Sequence, residues 1–326
     1  MSGTGDTDVT RQICRLGGVY LVDRARFMAR VLENNFVTAL VFMAISRANV
    51  GGIAGSHAAS ARYLTLDDIP PDEARIPVTV YALARDLAIP YETVRRHVAK
   101  LKAWGSCAAV ADGIIVRSEV FRSPEARRGT LDTERATRTL VNELARSGVR
   151  ARPHPPISYD VTLRLARLST HYFVEGVSLV ARRADLDVLS ALVMLTIGLM
   201  NTQAITCSHT LADRYAGLHD IPPDDLRTPV KAYTISRFLM LPYETARRTC
   251  LRLVERGLVA RNEAGELTMP SEVFARPDMM AMFVEFSNLT TDFLETLAEN
   301  GVTGDAVASR QPAALAEPAM RRVSSV

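Results

Sequence analysis

Val94, Val98 and Leu101 stand at i, i+4 and i+7 within Ile89–Gly105, IPYETVRRHVAKLKAWG, and so form one apolar stripe of a helix. The stretch returns as LPYETARRTCLRLVERG over Leu241–Gly257, with Ala246, Cys250 and Leu253 as its stripe. Each copy opens on a proline, which suits the first helical position because its missing N–H would be unbonded there. Glu92 and Glu244 follow in the first turn, where the helix dipole favours negative charge. The opposite face carries Glu92, Arg96 and Ala99, flanked by Thr93, Arg95, Lys100 and Lys102. The pattern therefore predicts a helix that buries one side and presents a basic one. Upstream, Val78–Leu87 (VTVYALARDL) predicts a short amphipathic helix with Val80, Leu83, Ala84 and Leu87 turned inward. Downstream the pattern becomes β-like over Cys107–Phe121. Asp112-Gly113 between two apolar runs there is a hairpin signal. The second copy places its hairpin in Leu258–Phe274, with the turn near Glu263–Gly265.

The repetition extends over most of the chain. At an offset of 152 residues, Thr38–Asn49 (TALVFMAISRAN) matches Ser190–Asn201 (SALVMLTIGLMN), and DIPPDEARIPV from Asp68 matches DIPPDDLRTPV from Asp220. Leu16, Tyr20 and Val22 find Leu168, Tyr172 and Val174. After one extra residue in the second hairpin, Leu144, Ala145, Gly148 and Val149 find Leu297, Ala298, Gly301 and Val302. This predicts a tandem duplication, copies 10–150 and 160–303, joined by a Pro-rich linker at 151–159 and followed by a disordered tail, 304–326. Each copy begins with a helix near Ile13–Glu33 and an apolar helix over Phe36–Asn49. A short helix near Ala58–Tyr63 and an irregular Pro-rich stretch come next, because consecutive prolines exclude regular structure. A closing helix near Asp132–Arg146, or Met279–Asn300, ends at Gly148 or Gly301.

A helix, a tight turn, a second helix with a basic outer face and then a hairpin together resemble the winged-helix DNA-binding domains, over about Val78–Phe121 and Val230–Phe274. Among bacterial winged helices, the phrase around PYETVRRHV looks most like regulators of the GntR, IclR and MarR type. The resemblance implies a mainly α fold with small β-hairpin wings, two tandem winged-helix domains related by pseudo-symmetry. It also implies a second helix that enters the major groove of double-stranded DNA. On that helix Arg96 and Arg248 point away from the stripe, and an arginine can bind guanine through two parallel hydrogen bonds. Arg95 and Arg247 lie to the side, toward phosphates. Tyr91 and Tyr243, at the helix start, face a phosphate or a thymine methyl. Glu92, Thr93 and Lys100, with Glu244, Thr245 and Arg252, complete the candidate surface. Arg85 and Arg237 lie on the first helix, placed for phosphate contact, and Arg117 and Arg261 on the wings. The second wing also carries Glu263 and Glu266, which repel phosphate, so the two copies read as unequal.

Other recurring residues leave two readings open. A solvated charged face is the ordinary fate of a lone basic helix. Arg62 and Arg75, recurring as Arg214 and Arg227, suit a phosphate or an internal salt bridge with Asp67, Asp68 or Asp72. The shared Asp-Ile-Pro-Pro-Asp reads as structural rather than catalytic, with no His or Cys at workable spacing. The apolar helices at Val37–Ile45 and Val188–Met200 are expected to pack on one another, which would hold two readers for grooves about 34 Å apart.

Composition changes this picture little. The 326 residues suffice for two domains, and the formal charge of +3 is too small to name a partner. Cys14, Cys107, Cys207 and Cys250 form no C-x-x-C pair and stand at no zinc spacing from a His, so they read as small apolar residues in a reducing cytosol. Residues 1–10 lack a basic start and an apolar centre, so no signal peptide is expected. Val188–Met200 falls short of the ~20 residues of a membrane span. No phosphate loop, nucleophile elbow or H-E-x-x-H occurs, so neither an enzyme nor a cofactor is expected. An effector pocket would leave no short motif. The expectation is a cytoplasmic bacterial transcription regulator that binds double-stranded DNA and contacts RNA polymerase. It would act as a homodimer or a single-chain pseudo-dimer. A plasmid-type replication initiator and a winged-helix protein-interaction module are the alternatives.

Overall fold

The computed structural model describes residues 8–33, 35–51, 62–155, 157 and 160–304. The segment holding most of the expected Ala58–Tyr63 helix, with His57, lies outside these, as does the expected tail beyond Gly304. The described residues form fourteen helices and two small antiparallel sheets.

The first half opens with α1 (Thr10–Val31) and α2 (Phe36–Asn49). Asn35 caps α2 by accepting the Thr38 N–H at 3.0 Å. A helix pair follows, α3 (Val80–Leu87) and α4 (Tyr91–Ala103). Thr79 caps α3, accepting the Ala82 N–H at 3.1 Å, so Val78 stays extended instead of opening the helix. Its N–H and C=O pair with Ile114 of β2. β1 (Cys107–Val110) and β2 (Gly113–Val116) make the expected hairpin. Gly113, however, is the first paired residue of β2 and not part of the turn. A Cβ there would sit 2.7 Å from the Val78 carbonyl oxygen, so the crossing of Val78 requires glycine. The β-like run ends at Val116. Ser118–Arg122 is a short helix, α5, and the closing helix α6 starts at Pro124, earlier than expected, and ends at Arg146.

The second half repeats this order. α7 is Thr162–Arg183, α8 is Val188–Asn201, and α9 (Gln203–Cys207) and α10 (His209–Arg214) follow. A two-residue strand β3 (Val230–Lys231) precedes α11 (Ala232–Leu239) and α12 (Tyr243–Glu255). β4 (Ala260–Arg261), β5 (Glu266–Thr268), α13 (Ser271–Phe274) and α14 (Pro277–Glu299) complete it. Here the strand before the helix pair joins the sheet fully, in the order β3-β5-β4.

Two repeated polar residues seat each hairpin on its scaffold. Asn49, fully buried at the end of α2, donates to the carbonyls of Ile76 and Ile114 and accepts the Val116 N–H at 2.8 Å. Asn201 does the same for Thr228, Leu267 and Met269. The shared Asp-Ile-Pro-Pro-Asp is structural, as its composition suggests. Asp72 and Asp224 accept the N–H groups of Ser118 and Ser271, at 2.6 and 2.7 Å. Arg75 and Arg227 pair with those aspartates, donate to the carbonyls of Pro70 and Pro222, and lie over Phe121 and Phe274. The internal salt bridge is thus the role of Arg75, with Asp72 as its partner. Arg62 and Arg214 instead stack over Tyr63 and Tyr215.

The two halves share one continuous apolar core. α1 packs on α14 and α7 on α6, each reaching into the other half, and α1 meets α8 as α7 meets α2. This reciprocity is that of a two-fold axis. The two apolar helices α2 and α8 do touch, but most of the junction is made by α1, α6, α7 and α14. No single helix among the described residues is long and apolar enough to cross a membrane.

Candidate nucleic-acid interface

The turn between the two helices of each pair is tight for a specific reason. Ala88 and Met240 adopt left-handed backbone, φ 52° and 54°. The N–H groups of Ile89 and Leu241 then reach back to the carbonyls of Ala84 and Ser236. A non-glycine residue rarely takes this conformation, and here it recurs in both halves. Pro90 and Pro242 sit at the N-cap, one residue ahead of the expected first helical position. The stripe lies where its spacing puts it: Val94, Val98 and Leu101 are buried, as are Ala246, Cys250 and Leu253.

The opposite face is open. Arg95, Arg96, Arg247 and Arg248 are all exposed. Glu92 accepts two parallel hydrogen bonds from Arg95, both 2.7 Å. Glu244 accepts two from Arg247, 2.9 and 2.8 Å, and one from Arg248 at 3.0 Å. These bonds hold Glu92 below its ordinary range and Glu244 down to about 2. Exposed pairs of this kind contribute little to stability and exchange readily for another anion. Arg96 and Arg237 form no ion pair among the described residues.

Other candidates are turned back toward the scaffold. Lys100 pairs with Glu33 at 3.2 Å and lies over Trp104. Arg252 pairs with Asp187, the cap of α8, at 3.3 Å. Arg85 pairs with its neighbour Asp86 and stays exposed. Arg117 lies at the foot of the first hairpin, paired with Glu119 at 2.9 Å, and not at its tip. Arg261 lies on β4, its guanidinium beside Gly265 at the tip of the second. There Asn262 ties the turn together through Glu266 and the Gly265 N–H. Thr93 and Thr245 are half-buried beneath the arginines.

Two functional candidates escape the sequence reading. Tyr81 and Tyr233, equivalent residues on α3 and α11, are 70% and 62% exposed. Tyr233 stands 6.5 Å from Tyr243, ring centroid to centroid. With Tyr91 and Tyr243, also exposed, each half shows two large aromatic rings beside its arginine pair. Their signal was repetition of an aromatic on the polar side of a helix predicted to be amphipathic. No group of three His, Cys, Asp or Glu side chains able to hold a metal exists among the described residues. Comparison of the chain with protein-family models, with curated proteins and with solved structures gives no match in any of the three.

Proposed function

We propose that this chain binds double-stranded DNA as a transcription regulator, with α4 and α12 as the reading helices of two winged helix-turn-helix units. One observation carries the reading: a helix seated by a buried stripe behind a left-handed turn presents an exposed arginine pair, and does so twice. The clamps from Glu92 and Glu244 keep Arg95 and Arg247 extended along the helix face, where phosphate oxygens can replace the carboxylates. Arg96 and Arg248 reach furthest from the stripe and are assigned to base edges. The pseudo-two-fold junction supports the single-chain pseudo-dimer over the homodimer, and a pseudo-dimer would take an imperfect palindrome as its site.

The test is a gel-shift assay on genomic fragments, comparing the wild type with a variant carrying Arg95→Ala, Arg96→Ala, Arg247→Ala and Arg248→Ala. Wild-type binding should fall log-linearly with salt, through counterion release. The variant should lose most of it. Undiminished binding by the variant sinks the proposal, as does no binding by the wild type at low salt. The second reading, a protein-interaction module, draws on the four exposed tyrosines, since Tyr and Arg are enriched at protein interfaces. It predicts association that hardly changes with salt.

A further inference from the structure

The halves differ along one wall of their closing helices, which pack on α1 and α7. On α14 that wall is Met279, Met282, Phe283 and Phe286, of which Met279, Met282 and Phe286 are buried. The equivalent positions of α6 are Ala126, Gly129, Thr130 and Thr133. Protein interiors are close-packed, so losing four large side chains at matched places leaves space unless the backbone collapses. It does not collapse. A cavity of about 860 Å³ lies between α1, α2, α6 and α7, reaching Leu83 and Leu87 of α3.

One side chain on the cavity wall differs in its bonding from its equivalent in the other half. Arg167 of α7 lines it. The equivalent residue in the other half, Arg15, donates to the carbonyls of Tyr215 and Ala212, at 2.8 and 3.1 Å. The Nη2 of Arg167 is buried with no hydrogen-bond partner among the described residues. The other Arg, Asp and Glu side chains on the wall have partners: Glu175 with Arg47, Arg75 with Asp72, Asp86 with Arg85, Glu125 with Arg128, and Arg24 with the hydroxyl of Thr133. Burial, then repulsion from Arg75, press the Arg167 pKa down to about 10, which leaves it charged at neutral pH. A buried guanidinium N–H left without an acceptor is costly, and an anion brought by a ligand supplies one.

We propose that this cavity binds a small amphipathic anion. Its single carboxylate pairs with Arg167, and its apolar body lies against Phe27, Met28, Phe42 and Phe121. The volume suits a small-molecule site, as does an apolar wall that carries a small number of polar groups. The inference does not depend on what the chain does with DNA.

The experiment is isothermal titration calorimetry of the full chain with decanoate, 1-naphthoate and neutral decanol. At least one of the two carboxylates should bind saturably at one per chain. Arg167→Met should weaken that carboxylate roughly tenfold or more, the loss of a charge-assisted bond, while decanol changes less than about twofold. Gly129→Met with Thr130→Phe, which restores the bulk of the other half, should abolish binding of all three while the melting temperature holds or rises. A Cβ on Gly129 meets only Phe27, at ordinary contact of 3.5 Å, so a side chain can start there without a clash. Should the double variant lose its cooperative melt, Gly129→Leu alone replaces it. Failure of both carboxylates to bind overturns the proposal. So does full carboxylate affinity in Arg167→Met or in a folded filled variant.

Discussion

Tyr20 and Tyr172 hold the same place in the two repeats, and their rings meet at the junction with centroids 5.7 Å apart and planes tilted by 45°. A residue that touches its own equivalent lies on a two-fold axis. The hydroxyls extend the relation: Tyr20 bonds Thr137 at 3.0 Å and Tyr172 bonds the equivalent Thr290 at 2.8 Å. The symmetry breaks one turn away. Ser169 reaches the Tyr20 hydroxyl, whereas its equivalent, Gly17, has no side chain to reach Tyr172.

The Gly17 position should therefore be sensitive to a single methyl. A Cβ there would stand 2.6 Å from the Tyr172 hydroxyl. Gly17→Ala is expected to lose about 1–3 kcal/mol through overpacking. In a Tyr172→Phe background the same change should cost less, because the hydroxyl is gone. A double-mutant cycle by urea unfolding measures the difference, and strict additivity would show that the two groups do not meet.

Asn49→Ala and Asn201→Ala should each destabilise by about 2–4 kcal/mol. Asn49→Ala removes one hydrogen bond each from the carbonyls of Ile76 and Ile114 and from the Val116 N–H, and Asn201→Ala does the same at Thr228, Leu267 and Met269. Chemical denaturation gives the total. Hydrogen exchange should show the loss concentrated in the hairpin of the altered half, and a uniform loss would contradict the seating role.

Glu244 accepts hydrogen bonds from Arg247 and Arg248 and stays ionised down to about pH 2, so under the proposed DNA-binding function it would compete with phosphate for both. Glu244→Gln should free both guanidiniums and remove a like charge from the proposed DNA face. Affinity at low salt is expected to rise roughly threefold or more, with a steeper salt dependence. Fluorescence anisotropy on one duplex over a salt series checks this, and weaker binding would assign Glu244 a direct role in reading a base.

Acid should weaken the fold through two histidines. His97 is half-buried against the Thr38 hydroxyl at 2.8 Å, and burial, then Arg96 and Lys100, lower its pKa. Burial, then Arg47, lower that of His171. Both depart downward from 6.5, so on acidification the unfolded chain takes up protons before the folded one. Stability is therefore lost as pH falls from about 7 through the folded values. Melting temperatures between about pH 7.5 and pH 5.5 should fall less in a His97→Asn, His171→Gln variant than in the wild type.

The short-range pattern was largely legible. The Val94–Val98–Leu101 stripe, the apolar helix α2 and both hairpins follow from spacing that neighbouring residues enforce through backbone geometry. SEVF was misread because four residues carry no period of their own. It is helical because Asp72 and Asp224, nearly fifty residues upstream, accept the first N–H of each copy. The partners of Lys100 and Arg252 were equally hidden, since Glu33 and Asp187 are brought near only when the first turn of each half folds against α4 or α12.

The duplication, the element order and the two-sided helices were written in the chain alone, because repeats and periodicity are local properties that survive without knowledge of packing. How the copies meet was not. Their shared core, the facing tyrosines and the cavity beside Arg167 arise where side chains more than a hundred residues apart come into contact. Such contacts depend on the summed shape of four helices, and small residues on α6 reveal a void only when α14 shows what would otherwise have filled it.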